Sequence, residues 1–221
     1  MKYFLILFIS FSFTNASFAA EVGSKEIKMP KTFVPGDPEK GSQLVDSCAA
    51  CHGQNGVSIS SDWPKLAGQN QRYLYEQLKY FRDGDRMNAL MMSVTPYLQS
   101  LEDEDLLDIA AFFEQYSISV GQAKNDEELL ELGTQLYRFG NMKKQIPACT
   151  ACHAVYGQGN SLAGYPSVAG QQIGYLTSSL KAYRSKERNA GESSLIMQSI
   201  SENLSDYEIE ALANYMHGLY K

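Results

Sequence analysis

Cys48, Cys51 and His52 belong to the stretch CAACH, and Cys149, Cys152 and His153 to CTACH. All four cysteines of the chain and two of its three histidines fall in these two copies. Two thiols separated by two residues can form thioether bonds to the two vinyl groups on one edge of a porphyrin. The histidine that follows is then carried beneath the ring, where its imidazole can bind iron. Cys-x-x-Cys-His is the spacing of covalent c-type haem attachment. Two disulfides would use the cysteines but leave both histidines without a role. A zinc site would require two distant pairs to converge on one ion, and again gives the histidines no shared task. Cys48, Cys51, Cys149 and Cys152 are therefore read as attachment points for two covalent haem c groups, with His52 and His153 as proximal iron ligands.

The opposite axial position decides what such a centre does. Methionine across from histidine makes an electron-transfer site and raises the reduction potential, whereas an open position would admit oxygen or peroxide. In SSLIMQSISENLSD the residue is Met197, in a loop-like stretch before the last helix. In NALMMSVTPYLQSLED, aligning LMM with LIM selects Met92, with its neighbour Met91 as the alternative. The first copy has two extra residues between Met92 and Leu101, so register leaves that choice open. Met87, Met142 and Met216 read as packing residues. His217, on the last helix, reads as a surface residue. A haem-ligating histidine donates its second ring N–H to a carbonyl or carboxylate. Pro64 and Pro166, at matching places after the two motifs, are candidates for that carbonyl; otherwise they simply end a loop.

The elements that must position these residues are duplicated as well. PKLAGQNQRYLYEQLKYFR, 64–82, aligns without a gap to PSVAGQQIGYLTSSLKAYR, 166–184. The shared positions include Gln69/Gln171, Tyr73/Tyr175, Leu78/Leu180, Lys79/Lys181 and Arg82/Arg184, and upstream Gly41 pairs with Gly133. A period near one hundred residues suits a small domain. Each copy reads as helical. Asp37 and Pro38 start a helix running into Cys48, and another begins near Asn125. A closing helix carries Leu106, Ile109, Ala110 and Phe113 in one copy, and Ile209, Leu212, Ala213 and Met216 in the other. Ser205 and Glu208 form a capping box for the latter. The expected fold is all-α: two tandem domains, residues 21–120 and 121–221, each packed around a covalent haem c.

Composition narrows the setting. The 221 residues are 44% hydrophobic and 20% charged, with net charge −6 and no basic run, which argues against a nucleic-acid partner. Residues 1–20 open with Lys2, continue through an apolar run from Phe4 to Phe13 and end in small residues, the pattern of a secretory signal. That run is about half the length a membrane span needs. Cleavage is expected near Ala19 or Ala20, placing the mature protein in the periplasm. The acid excess lies in the first copy. Residues 21–121 hold 15 acidic and 9 basic side chains, and residues 122–221 hold 10 and 9. One reading makes Glu102, Asp103, Glu104 and Asp105 a docking face for a basic partner; the other makes them an ordinary solvated surface.

Two Cys-x-x-Cys-His units, each with a P-x-x-A-G-Q segment, an L-K-x-[FY]-R segment, a methionine stretch and a closing helix, resemble the cytochrome c4 family, as does IPACTACH. The resemblance implies two class I cytochrome c domains related by approximate two-fold symmetry, with haems close across the interface. It implies an electron carrier, not an enzyme, linking a respiratory-chain donor to a terminal oxidase, with peripheral contact to membrane complexes. Alternatives are a dihaem electron-accepting subunit of a flavoprotein such as sulfide dehydrogenase, and a dihaem peroxidase.

Overall fold

The computed structural model describes residues 33–220, so the expected signal segment with its cleavage site lies outside the described residues. The helices run in order α1 Pro38–Ser42, α2 Asp46–His52, α3 Gln71–Asp83, α4 Thr95–Leu98, α5 Asp103–Glu114, α6 Glu127–Phe139, α7 Thr150–His153, α8 Ile173–Arg184, α9 Glu192–Ser201 and α10 Asp206–His217. Short 3-10 turns occupy Met91–Ser93 and Met142–Lys144. Among the described residues there is no strand, only isolated bridges at Asn141–Ile146 and Asn160–Tyr165.

The order repeats. In the first half α1 and α3 pack on α5; in the second, α6 and α8 pack on α10. Gly41 in α1 and Gly133 in α6 explain their recurrence here. A Cβ on Gly41 would run into the Asp108 carbonyl, and one on Gly133 into the Ala211 carbonyl, so each helix crossing is closer than a larger residue permits. The anticipated stripes face inward. Leu106, Ile109, Ala110 and Phe113 of α5 are buried, as are Ile209, Leu212, Ala213 and Met216 of α10. The second half's core gathers these with Tyr137, Ile146, Leu176 and Leu180. The first half divides its core in two, one cluster around Ile109 and Phe113 and another of Phe81, Leu98 and Leu106.

The L-K-x-[FY]-R segment also has a structural task. Lys79 and Arg82 of α3 reach Asp103 at the start of α5, at 3.0 and 2.6 Å. Lys181 and Arg184 of α8 reach Asp206 at the start of α10, at 3.0 and 2.5 Å. A carboxylate at a helix N-terminus also complements the helix dipole. Each closing helix is thereby tied to the helix before it.

Several expectations need correction. The helix from Asp37 does not run on to Cys48. Asp37 caps α1, accepting from the Glu39 amide at 2.9 Å, but the chain leaves helical form around Gln43–Val45 before α2 begins. The helix expected near Asn125 does form, from Glu127, capped by Asp126, whose side chain accepts from the Leu129 amide. Met197 sits in a regular helix, α9, not a loop. Met87 and Met142 are not packing residues; they stand 76% and 77% exposed. His217 is half-buried, its Nδ1 bonded to the Gln171 carbonyl at 2.8 Å. In the acidic run Asp103 is ion-paired and Glu102 and Asp105 make a reciprocal capping box on α5, while Glu102, Asp103 and Glu104 stay exposed, which leaves both readings of that surface open. The capping box of Ser205 and Glu208 forms as expected.

Candidate functional site

Both motifs lie at the C-terminal ends of short helices. CAACH closes α2, and CTACH supplies Cys149 before α7 and the rest of it. The chain then turns sharply in a conformation that L residues avoid, at Gly53 (φ 79°, ψ 155°) in one half and Ala154 (φ 64°, ψ 167°) in the other. This turn stops each helix immediately after its histidine. Cys48 and His52 are buried, Cys51 is exposed, and Cys149, Cys152 and His153 are half-buried. None of the four cysteines is in a disulfide.

The two histidines are held alike. His52 Nδ1 lies 2.8 Å from the Pro64 carbonyl oxygen, and His153 Nδ1 lies 2.9 Å from that of Pro166. A carbonyl can only accept, so Nδ1 carries the proton and donates, leaving Nε2 with its lone pair. Burial lowers the pKa of both imidazoles, and the carbonyl bonds oppose that shift only in part. Both rings are therefore neutral near pH 7, the form that binds metal.

One cavity of about 1130 Å³ is lined by both motifs. Its walls are apolar, from Leu74, Phe81 and Phe113 in one half and Val168, Leu176 and Leu180 in the other. Met91, Met92 and Met197 all border it. Met197 is half-buried against the second core. Met91 packs on the cluster of Phe81, Leu98 and Leu106, while Met92 is 59% exposed. The two Cys-His pairs do not converge: among the described residues no group of three or more His, Cys, Asp or Glu side chains could hold a metal ion. That leaves zinc without a site among the described residues.

Sequence reasoning missed the polar seam where the halves meet at the cavity. Arg188 is 7% exposed, and its guanidinium donates to Tyr73 Oη at 2.6 Å, Gln77 Oε1 at 2.9 Å and Ser179 Oγ at 3.2 Å. Arg86 donates to the same Gln77 oxygen at 2.6 Å. Among the described residues neither arginine pairs with a carboxylate. A buried cation with only neutral partners is costly. Haem fits this cavity on three counts: thiols and imidazoles for attachment and ligation, apolar walls for the macrocycle, and cations for its two carboxylates. The signal for the arginines was in the sequence, since each stands four residues after Arg82 or Arg184.

An all-helical pair of halves with two Cys-x-x-Cys-His sites on one cavity defines a tandem c-type haem protein. The family model for cytochrome c matches residues 38–117 and 131–219. Cytochrome c4 of Stutzerimonas stutzeri is 40% identical over 191 residues, covering 84% of this chain and 90% of that one. The crystal structure of reduced recombinant cytochrome c4 from Pseudomonas stutzeri superposes with TM-score 0.77 at 41% identity, over 84% of this chain and 100% of that one. The thiosulfate dehydrogenase electron acceptor of Stutzerimonas stutzeri strain A1501 is 34% identical over 76% of this chain and 77% of its own length. The chain belongs to the cytochrome c4 family, dihaem electron-transfer proteins of two tandem cytochrome c domains. As a member it binds two covalent haem c groups.

Proposed function

We propose that the protein is a periplasmic carrier that accepts electrons from a respiratory-chain donor and delivers them towards a terminal oxidase, without catalysis of its own. The supporting observation is that each half brings one Cys-x-x-Cys-His motif, a histidine with its Nδ1 bonded to a proline carbonyl, and a methionine to the same cavity. The domains run over 21–120 and 121–221, following a signal of residues 1–20. Cys48 and Cys51, and Cys149 and Cys152, hold the two groups by thioether bonds. His52 and His153, through Nε2, together with Met92 and Met197, would supply the protein ligands of the two irons. Haem supplies a one-electron redox centre when bound. The protein's part would be to keep these histidines and methionines in place whether the iron is reduced or oxidised, so that little rearrangement accompanies the change, and to exclude water with apolar walls.

The test is an absorption spectrum of the reduced protein before and after carbon monoxide. Two low-spin haems indifferent to carbon monoxide support the carrier. One haem that binds it readily has a replaceable sixth ligand, which removes this reading in favour of peroxidase or ligand-binding chemistry. A second reading of the donor is favoured by the relative named as a thiosulfate dehydrogenase electron acceptor. Reduction of this protein by a thiosulfate dehydrogenase and thiosulfate, at a rate dependent on both, would support that donor.

A further inference from the structure

Gln69 and Gln171 recur at matching places in the two halves, and each is 6% exposed. Neither amide serves the backbone of its own half alone. Gln171 Oε1 accepts from the Lys65 amide N–H at 2.8 Å, and Gln171 Nε2 donates to the Lys65 carbonyl at 2.9 Å. Gln69 Oε1 accepts from the Ser167 amide at 2.7 Å, and Gln69 Nε2 donates to the Ser167 carbonyl at 2.9 Å. Each side chain therefore pairs with one residue of the opposite half through both of its polar atoms, as a neighbouring strand would.

The residue chosen is the informative point. The Lys65 N–H belongs to the same peptide group as the Pro64 carbonyl, which accepts from His52 Nδ1. The Ser167 N–H shares its peptide with the Pro166 carbonyl, which accepts from His153 Nδ1. Resonance couples the two ends of a peptide group. When its N–H donates, more negative charge collects on its oxygen, and hydrogen bonds in series strengthen one another. An unbroken series thus runs from the glutamine of one half, through one planar peptide, to the histidine of the other.

We infer that Gln69 and Gln171 are positioning residues acting crosswise: Gln171 orients and tunes His52, and Gln69 orients and tunes His153. This rests on the proposed ligation by those histidines. A stronger acceptor on Nδ1–H makes the imidazole more basic and favours ferric iron. Loss of a glutamine should therefore raise the reduction potential of the haem in the opposite half and leave that of its own half in place. Other bonds hold the seam when one amide is lost: Lys65 Nζ donates to the Gly170 carbonyl at 2.7 Å, and Gln172 Nε2 to the Ser58 carbonyl at 2.8 Å.

The experiment uses the intact dihaem protein and its Gln171→Met and Gln69→Met variants. Each haem is titrated separately through its own paramagnetically shifted methyl resonances. In Gln171→Met the reduced-to-oxidised ratio of the haem on His52 should rise about threefold at fixed ambient potential, or roughly 28 mV at 59 mV per decade. The haem on His153 should stay unchanged, and Gln69→Met should give the mirror result. Gln171→Glu keeps an oxygen for the Lys65 N–H and should leave the His52 haem at or below its original potential. Should a methionine variant not accumulate, Gln171→Asn, too short by one methylene to reach Lys65, carries the same test. A shift confined to the variant's own half, equal shifts in both, or none in either would overturn the inference. Absence of hyperfine-shifted imidazole resonances from His52 and His153 in the unaltered protein would instead remove the ligation on which it rests.

Discussion

Ala154 should be improved by removing its side chain. It follows His153 at φ 64° and ψ 167°, a region occupied almost only by glycine, and the first half places Gly53 at the same point. An alanine held there stores about 1–3 kcal/mol. The surroundings fix it: its amide donates to the Thr150 carbonyl at 3.1 Å, and its carbonyl accepts from Tyr137 Oη at 2.7 Å. Ala154→Gly releases that strain but gives the unfolded chain more freedom, which returns about 0.4–1 kcal/mol. The net gain should be about 1 kcal/mol, or roughly 2–4 °C in Tm for a chain of this size. The reverse change, Gly53→Ala, meets the same strain and adds a Cβ pressed on the Val57 carbonyl, so it should cost more than about 2 kcal/mol. Guanidinium unfolding of the oxidised dihaem protein, followed in the Soret band, measures both. The midpoint of Ala154→Gly should rise with an unchanged slope. A midpoint at or below that of the unaltered protein would refute the reasoning, because the strain would then not be present in the folded state.

Other outcomes follow from the methionines and the helix clamps. Met92→Leu should leave the haem on His52 open to carbon monoxide, whereas Met91→Leu, a volume-conserving change against Phe81, Leu98 and Leu106, should keep it closed and cost under about 1.5 kcal/mol. The opposite pattern in the same spectra would assign the ligand to Met91. Bonds from Lys79 and then Arg82 hold the Asp103 carboxyl down at about 2, from an ordinary value of 3.8. Its contribution to stability is thus complete above about pH 4 and lost as pH falls through about 2. Because Asp103 is half exposed, that contribution is below about 1 kcal/mol and shrinks with salt. Acid titration of Asp103→Asn should show a flatter stability limb between pH 4 and 2, and an unchanged limb would show that the pair contributes nothing.

What the sequence made legible was whatever repeats locally. Helix faces such as Leu106, Ile109 and Phe113 were visible because a buried helix face recurs every three to four residues. The cysteines and histidines were visible because attachment chemistry fixes their spacing. The proline carbonyls could be named because the distance from motif to proline is nearly the same in both copies. The conformation of the methionine stretches was not legible: a run of Ser, Leu, Ile and Met in α9 lacks a cap or a strong amphipathic signal. The seam was hidden for a different reason. Gln171 meets Lys65 across 106 residues, and no local pattern reports a partner that far away. The recurrence of Gln69 and Gln171 is plain in the sequence, but recurrence alone does not separate a residue that packs within its half from one that reaches across.

Duplication itself explains why the seam keeps matched residues while the outer parts drift. At an interface between two copies, each residue faces the counterpart of its own neighbourhood, so a change in one copy alters the surroundings of the other. Gln69 and Gln171 meet matching peptides, Pro64–Lys65 and Pro166–Ser167, and each must satisfy one N–H and one carbonyl there. A residue without both a donor and an acceptor would leave buried backbone groups unpaired, at about 1–3 kcal/mol each. The methionine stretches carry no such reciprocal demand and have diverged into a 3-10 turn with α4 in one half and α9 in the other. Gln77 breaks the symmetry at the seam, since its counterpart is Ser179. Its oxygen accepts from both Arg86 and Arg188, which draws two guanidinium groups onto one side chain of the first half. The two haem environments are therefore built from nearly the same parts and still differ in how charge is distributed around them.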